Sequence, residues 1–405
     1  MKHLRSGYTT GACATAAAKG AALMLRDQEV IGEVKITLPR GEMARFPLHG
    51  QRFSATEATC HVVKDAGDDP DITNGAEIHA TVSLISSFPV LPLLQGEGQG
   101  GDEFVGTQLP HPPPNLPLEG GGRIIQGEGI PAIIIEGGVG IGRVTKPGLA
   151  VQPGEWAINP VPRRMITEAI QTVFSSPQSP VPINCLISIP NGEFLARKTL
   201  NARLGIIGGL SILGTTGIVR PISAQAWTDT IDAAIDVALA CGSETVVLST
   251  GRTSEMVAQG KLGLGTGDWG LGKPFPEEAF VMMGDHVGHA LRACARKGVK
   301  RVILAGQFAK LLKIACGHEQ THVSSSELDL KHLLAWVSET PHASPLTPHI
   351  SEAATARGVL EAYRNDPDLI ALVCNKARQF AESLAHGMEL KVLLAGYGGE
   401  VLYFA

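Results

Sequence analysis

Arg5, Thr9 and Thr10 stand in Arg5-Ser6-Gly7-Tyr8-Thr9-Thr10-Gly11, directly ahead of Ala12–Leu25, a stretch written almost wholly in alanine. Alanine has the strongest helix propensity, so the run predicts a helix whose first turn carries two hydroxyls. Free amides at that end, the positive pole of the helix dipole and Arg5 together suit a carboxylate or phosphate. A competing reading needs no ligand, because Thr9 or Thr10 can simply cap the helix. A second Thr-Thr-Gly, Thr215-Thr216-Gly217, closes the glycine-rich stretch that starts at Gly208-Gly209 and passes through Gly214.

Other residues have chemistry to offer. Asp65, Asp68, Asp69 and Asp71 crowd one turn; neighbouring carboxylates raise one another's pKa and can hold a cation or move protons, or they can be solvated caps. Arg143, Lys146, Arg163, Arg164, Arg197, Lys198, Arg203, Arg220, Arg252, Lys310 and Lys313 are concentrated in loops and near glycine. In a chain of net charge −5 that placement suits a ligand with several carboxylates, each gripped by a guanidinium fork, against the plainer alternative of surface solubility. His318-Glu319-Gln320-Thr321-His322 has the zinc-hydrolase spacing. Such a pentapeptide arises by chance in about one chain of this length in fifty, and Gly317 and Ser324-Ser325-Ser326 end any helix around it. His286 and His289 share a helix face without a thiolate or carboxylate cluster, which points to a surface or substrate-facing role. No metal site is therefore expected.

Positioning these residues requires two kinds of architecture. In the first half, 32–38 and 41–48 predict a hairpin around Pro39-Arg40-Gly41, and strands are expected at 54–63, 77–85 and 132–136. Gly137-Gly138-Val139-Gly140-Ile141-Gly142 follows the last of these, but Pro147 and Gly148 forbid the helix that a dinucleotide fingerprint must open. A helix is expected from Pro160 to about Phe174, a strand at 185–189 and a helix at 192–204. From about Pro221 strands and helices alternate: helix 224–241, strand 245–249, strand 279–283, helix 286–297, strand 301–304, helix 308–315, two or three helices in 325–386, and a last strand at 391–395. That alternation predicts a parallel sheet covered by helices, with ligands beyond the carboxyl ends of the strands, near Thr250-Gly251-Arg252, Gly284-Asp285-His286 and Gly306-Gln307.

The expected fold is an α+β N-terminal domain, 1–220, followed by a Rossmann-like α/β C-terminal domain with a parallel sheet, 221–405. Within the first domain, and different in kind, is the proline- and glycine-rich stretch at about 89–129, in which Gln95-Gly96-Glu97-Gly98 recurs as Gln126-Gly127-Glu128-Gly129. Its composition buries little, so it reads as an insertion with no catalytic part. At 405 residues and 44% hydrophobic content the chain can fill two cores. Its acidic balance gives no global attraction to nucleic acid or anionic membrane, and no apolar run is long enough to span a bilayer. Seven scattered cysteines without a Cys-x-x-Cys pair read as reduced thiols of a cytoplasmic protein.

Long strings then carry a resemblance. Leu4-Arg5-Ser6-Gly7-Tyr8-Thr9-Thr10-Gly11-Ala12-Cys13-Ala14, Lys64-Asp65-Ala66-Gly67-Asp68-Asp69-Pro70-Asp71, Gly142-Arg143-Val144-Thr145-Lys146-Pro147-Gly148-Leu149, Ile158-Asn159-Pro160-Val161-Pro162-Arg163-Arg164-Met165 and the run from Gly208 to Pro221 resemble the CbiD-type cobalt-precorrin-5B C1-methyltransferases of anaerobic cobalamin biosynthesis. The second half is similar more loosely, through Gly306, Lys310, Lys313, Gly317 and Thr321-His322. Family members usually pass straight from the strand near Ile85 to the one near Ile133, so 89–129 looks inserted.

The resemblance implies transfer of a methyl group from S-adenosylmethionine to C-1 of cobalt-precorrin-5B, giving cobalt-precorrin-6A. It implies a cobalt-containing tetrapyrrole polycarboxylate as the partner, with homo-oligomerisation left open. Against that substrate the expected carboxylate grips are Arg5, Thr9, Thr10, Arg143, Lys146, Arg163 and Arg164. For S-adenosylmethionine they are Gly208, Gly209, Gly214, Thr215, Thr216, Gly217, Thr250, Gly284 and Asp285, and Asp68 is the candidate proton acceptor. The alternatives are a non-catalytic tetrapyrrole carrier with the same basic loops, and a zinc hydrolase using His318, Glu319 and His322.

Overall fold

A computed structural model of the chain describes residues 4–85, 132–174, 181–221, 223–263, 274–326, 328, 330–339, 355–362 and 366–405. The 89–129 stretch lies outside the described residues. The fold is mixed α/β, and its contacts divide into two compact units, Met1–Thr145 with Ala150–Ile222, and Lys146–Leu149 with Ser223–Ala405.

In the first unit the alanine run is helix α1, Thr10–Asp27, buried along nearly its whole length. Small side chains let it lie against the sheet strands β5 (Glu57–Val63) and β6 (Glu77–Leu84) and against helix α2 (Pro160–Val173). Gly20 leaves room for Leu48, since a Cβ there would stand 2.4 Å from Leu48 Cδ1. The sheet has the order β4-β5-β6-β9-β7, with β4 at His49–Phe53, β7 at Ile133–Gly137 and β9 at Ile183–Ser188. Its β4 to β9 pairs are antiparallel and β9–β7 is parallel. A hairpin, β2 (Glu33–Thr37) with β3 (Met43–Pro47), stands beside it, as expected.

Short pairings close the unit. Strand β1 (Gly7–Tyr8) is antiparallel to β11 (Ile218–Val219), and β8 (Arg143–Val144) to β10 (Ile206–Ile207). Proline at the first turn of α2 starts that helix without costing a hydrogen bond. The helix expected over 192–204 is corrected: it is a five-residue turn, α3, Gly192–Ala196. Beyond it the Thr199 hydroxyl bonds Ala196 O and accepts from the Asn201 amide, so side chains compete for the backbone and end the helix. Strand β4 was not expected, because it shows no apolar alternation and is an exposed edge.

The second unit holds the sheet β13-β12-β14-β15-β16. Strands β12 (Thr245–Ser249), β13 (Phe280–Met282), β14 (Arg301–Gln307) and β15 (Glu389–Ala395) are parallel. The strand at 391–395 is not the last: a glycine turn at 396–399 returns β16 (Val401–Phe404) antiparallel to it. Helices α4 (Ala224–Ala240), α6 (Val287–Arg296) and α7 (Phe308–Ala315) follow the expected alternation, α5 (Arg252–Leu262) after β12 was not expected, and three more are described at Leu330–Ser338, Ala356–Ala362 and Pro367–Leu384. All five β12 residues are buried, as in a sheet covered on both faces. No helix among the described residues is long and apolar enough to cross a membrane, and all seven cysteines are free.

Candidate functional site

The start of α1 is used by the protein itself. Thr9 is the N-cap, its hydroxyl accepting from the Ala12 amide at 3.2 Å. The Gly11 amide donates to Leu213 O, and the buried Thr10 hydroxyl donates to Leu213 O and accepts from the Leu213 amide at 3.0 Å. Loop 208–217 thus lies across the helix end, and Gly214 permits it: with φ of +130° its Cβ would stand 2.3 Å from Thr9 Oγ1. Gly209 has a similar reason, because a Cβ there would meet Gly140 O at 2.2 Å. Gly208 and Gly217 take positive φ, Thr216 bonds its own loop at Ile218, and Thr215 is exposed.

Arg5 forms a forked ion pair with Asp65, at 2.5 and 2.9 Å, and its amide donates to Asp68 Oδ2 at 2.6 Å. That fork raises the Arg5 guanidinium and holds the Asp65 carboxyl below its ordinary range. Asp65 and Asp68 thus share Arg5, whereas Asp71 of the same turn accepts from Lys64 at 2.5 Å and from Thr73. Lys64 is 2% exposed, and sequence reasoning missed this buried pair, whose signal is a lysine seven residues before an aspartate in a tight turn.

Arg163 and Arg164 come together on α2 at the wall of a cleft of about 470 Å³. Ile133 and Ile135 of β7 with Val151 and Ile158 supply apolar lining, and Gln152, Glu155, Thr167, Glu168 and Gln171 supply polar groups. Half-buried Arg163 is braced on Ile158 O and Ile135 O. Exposed Arg164 reaches Glu168 only at 3.9 Å, a loose pair that a ligand carboxylate can replace. Arg143 lies over the Trp156 ring at 3.9 Å and donates to Gly154 O. Lys146 is counted in the second unit, paired with Glu278 at 3.1 Å.

In that unit the strand order reverses between β12 and β14, the point at which parallel sheets open a ligand crevice. Thr250 follows β12 there, its amide bonded to Ala305 O, and its hydroxyl lies 3.4 Å from Ser254 Oγ of α5. Gly306 of β14 faces it closely, with a Cβ position 3.3 Å from Thr250 Oγ1. The buried Ser249 hydroxyl beside them lacks a hydrogen-bond partner. Gly284, at φ +57°, and Asp285 follow β13 at the same edge. Burial would raise the Asp285 carboxyl, but Lys310 and Thr321 outweigh it and hold it below the usual range. Both bond Oδ1, leaving Oδ2 for a ligand hydroxyl. Burial lowers Lys313, with Lys310 adding to it, and Lys313 in turn clasps Thr321 O and Ser326 O.

The zinc-hydrolase alternative meets a different geometry. His318 to His322 lie in a turn region after α7, and Glu319 makes a forked pair with Arg292 at 2.5 and 2.6 Å. Two histidines on successive helical turns are therefore not presented. Five thiols, Cys13, Cys60, Cys185, Cys294 and Cys374, are pushed up to about 12 by burial, which removes them as nucleophiles.

The CbiD profile matches residues 1–111 and 123–221. A protein of Geobacter sulfurreducens named cobalt-precorrin-5B C(1)-methyltransferase is 60% identical over 403 residues, 100% of this chain and 99% of that one. One of the same name from Geobacter metallireducens is 58% identical over the same shares. A crystal structure titled cobalamin biosynthesis protein (cbiD) from Archaeoglobus fulgidus aligns at 24% identity over 77% of this chain and 79% of that one, with a TM-score of 0.33. With its first half matching the profile and its whole length matching those relatives, the chain belongs to the CbiD family.

Proposed function

We propose that the protein methylates C-1 of cobalt-precorrin-5B, with S-adenosylmethionine as donor, giving cobalt-precorrin-6A in cobalamin biosynthesis, and that it does so in the cytoplasm. The observation that carries this is 60% identity along the full length of a relative bearing that activity in its name. The two units are proposed as two domains, an α+β domain for the tetrapyrrole and a Rossmann-like domain for the donor.

The donor supplies an electrophilic sulfonium methyl: the ring carbon forms its C–C bond as the S–CH3 bond breaks and the pair goes to sulfur. Protein residues have alignment and water exclusion as their task. Arg164 exchanges Glu168 for a substrate carboxylate, Arg163 adds a fixed positive charge, and β7 isoleucines cover the macrocycle's apolar parts. Thr250, Ser249, the first turn of α5 and Asp285 Oδ2 suit the hydroxyls and carboxylate of the donor. Arg5, Thr9, Thr10, Gly208, Gly209 and Gly214 hold the loop and helix start that shape the first unit. Asp68, whose Oδ2 accepts the Arg5 amide, stays the candidate proton acceptor after methylation.

Calorimetry on single variants tests this division. Arg164→Ala is expected to weaken tetrapyrrole binding while S-adenosylmethionine binds unchanged, and Thr250→Val the converse. Equal loss of both ligands in either variant would overturn it.

A further inference from the structure

We propose that His61, His79 and Glu77 form a binding site for a late first-row divalent metal ion. The site shares no residue with the cleft or the crevice. His61 on β5 and His79 on β6 are direct cross-strand partners, and their rings stack at 4.5 Å. Glu77, two residues before His79, projects from the same face. Its Oε2 lies 3.0 Å from His79 Nε2 and 4.0 Å from His61 Nε2. The three donor atoms lie within 4.8 Å of one another. A tetrahedral ion with bonds of about 2.0–2.1 Å spaces its ligands about 3.3 Å apart, so the two measured gaps bracket the required distance, and the stacked imidazoles turn out of their stack for both lone pairs to meet one ion.

The surroundings favour such a use of these groups. Gly50, at φ +61°, brings the β4 backbone against His61, where an added Cβ would sit 2.8 Å from Nδ1. That side of the ring is closed, and Nε2 is left toward Glu77. His61 is mostly buried while Glu77 is half exposed, so an ion enters from solvent and keeps an open position for water. Two imidazoles and a carboxylate select zinc, cobalt, nickel or copper over magnesium and calcium, which require oxygen donors. His49, on the far side of His61 with ring centres 5.6 Å apart, stands outside the donor group and serves as a control.

The test uses the full chain, stripped with a chelator and titrated with Zn2+ or Co2+. One ion per chain is expected to bind, with His61→Gln and His79→Gln each weakening it by about tenfold or more. Glu77→Gln is expected to weaken it less, and His49→Gln or the pair His318→Gln with His322→Gln to leave it unchanged. Should a variant fail to fold, the unaltered chain still decides: bound Zn2+ is expected to protect His61 and His79 from acylation by diethylpyrocarbonate, read by peptide mass mapping. No stoichiometric binding, affinity unaffected at His61 and His79, or protection only at His318 and His322 would overturn the proposal.

Discussion

Arg163 and Arg164 are neighbours on α2 with different tasks. Arg163 is braced by two carbonyls of the cleft wall, whereas Arg164 has only a distant, solvent-screened partner. A charge-assisted hydrogen bond contributes about 1.5–3 kcal/mol, so Arg164→Ala is expected to raise KM for the tetrapyrrole by about tenfold to a hundredfold, measured in steady-state assays. An unchanged KM would take Arg164 out of the site. Asp285 makes a pH-dependent contribution of known sign. A carboxyl lowered in the folded state stabilises fully above its unfolded value, about 3.9, and that contribution is lost as pH falls through the folded value. Asp285→Asn is expected to flatten the acid limb of stability below about pH 4, followed by urea unfolding. A limb as steep as before would show that other groups set it. Thr9 and Thr10 illustrate what residue types leave open. A hydroxyl at a helix start serves an anion or the backbone equally well; the Ala12 amide of α1 has taken Thr9, and loop 208–217 has taken Thr10.

At the scale of elements, the glycines in the strings that carry the resemblance have a physical meaning. Gly7 abuts Ala66, Gly67 abuts Arg5, Gly209 abuts Gly140 and Gly214 abuts Thr9, each with a would-be Cβ within 2.5 Å of its neighbour. The first three let chain segments cross at backbone contact, and Gly214 makes room for the Thr9 side chain. Gly209→Ala is therefore expected to destabilise by about 1–3 kcal/mol or more through overpacking, and Thr10→Val by about 1–3 kcal/mol through a stranded Leu213 amide. Both are read as shifts in the urea midpoint, and midpoints unchanged within error would contradict the packing described. The alternating half was legible because buried parallel strands and amphipathic helices have distinct periods. Edge strand β4 and the early end of α3 were not, since one has no apolar pattern and the other is stopped by hydroxyl competition. The His61–His79 pair was equally hidden: 18 residues separate them, and pairing register alone brings them face to face.

For the whole molecule, composition bounded the problem and long strings identified the family, while the cleft stayed out of sight. Its lining runs from Ile133 to Gln171 and comes together only when β7, the 150–158 loop and α2 pack. The expected donor residues fell into different units, Gly208–Gly217 in one and Thr250, Gly284 and Asp285 in the other. The most direct test of the activity is anaerobic incubation with cobalt-precorrin-5B and S-adenosylmethionine carrying a carbon-13 methyl group, with the product carbon resolved by NMR. One labelled methyl at C-1 per macrocycle is the expected result, whereas bound tetrapyrrole without label, or label at any other carbon, would contradict the assignment.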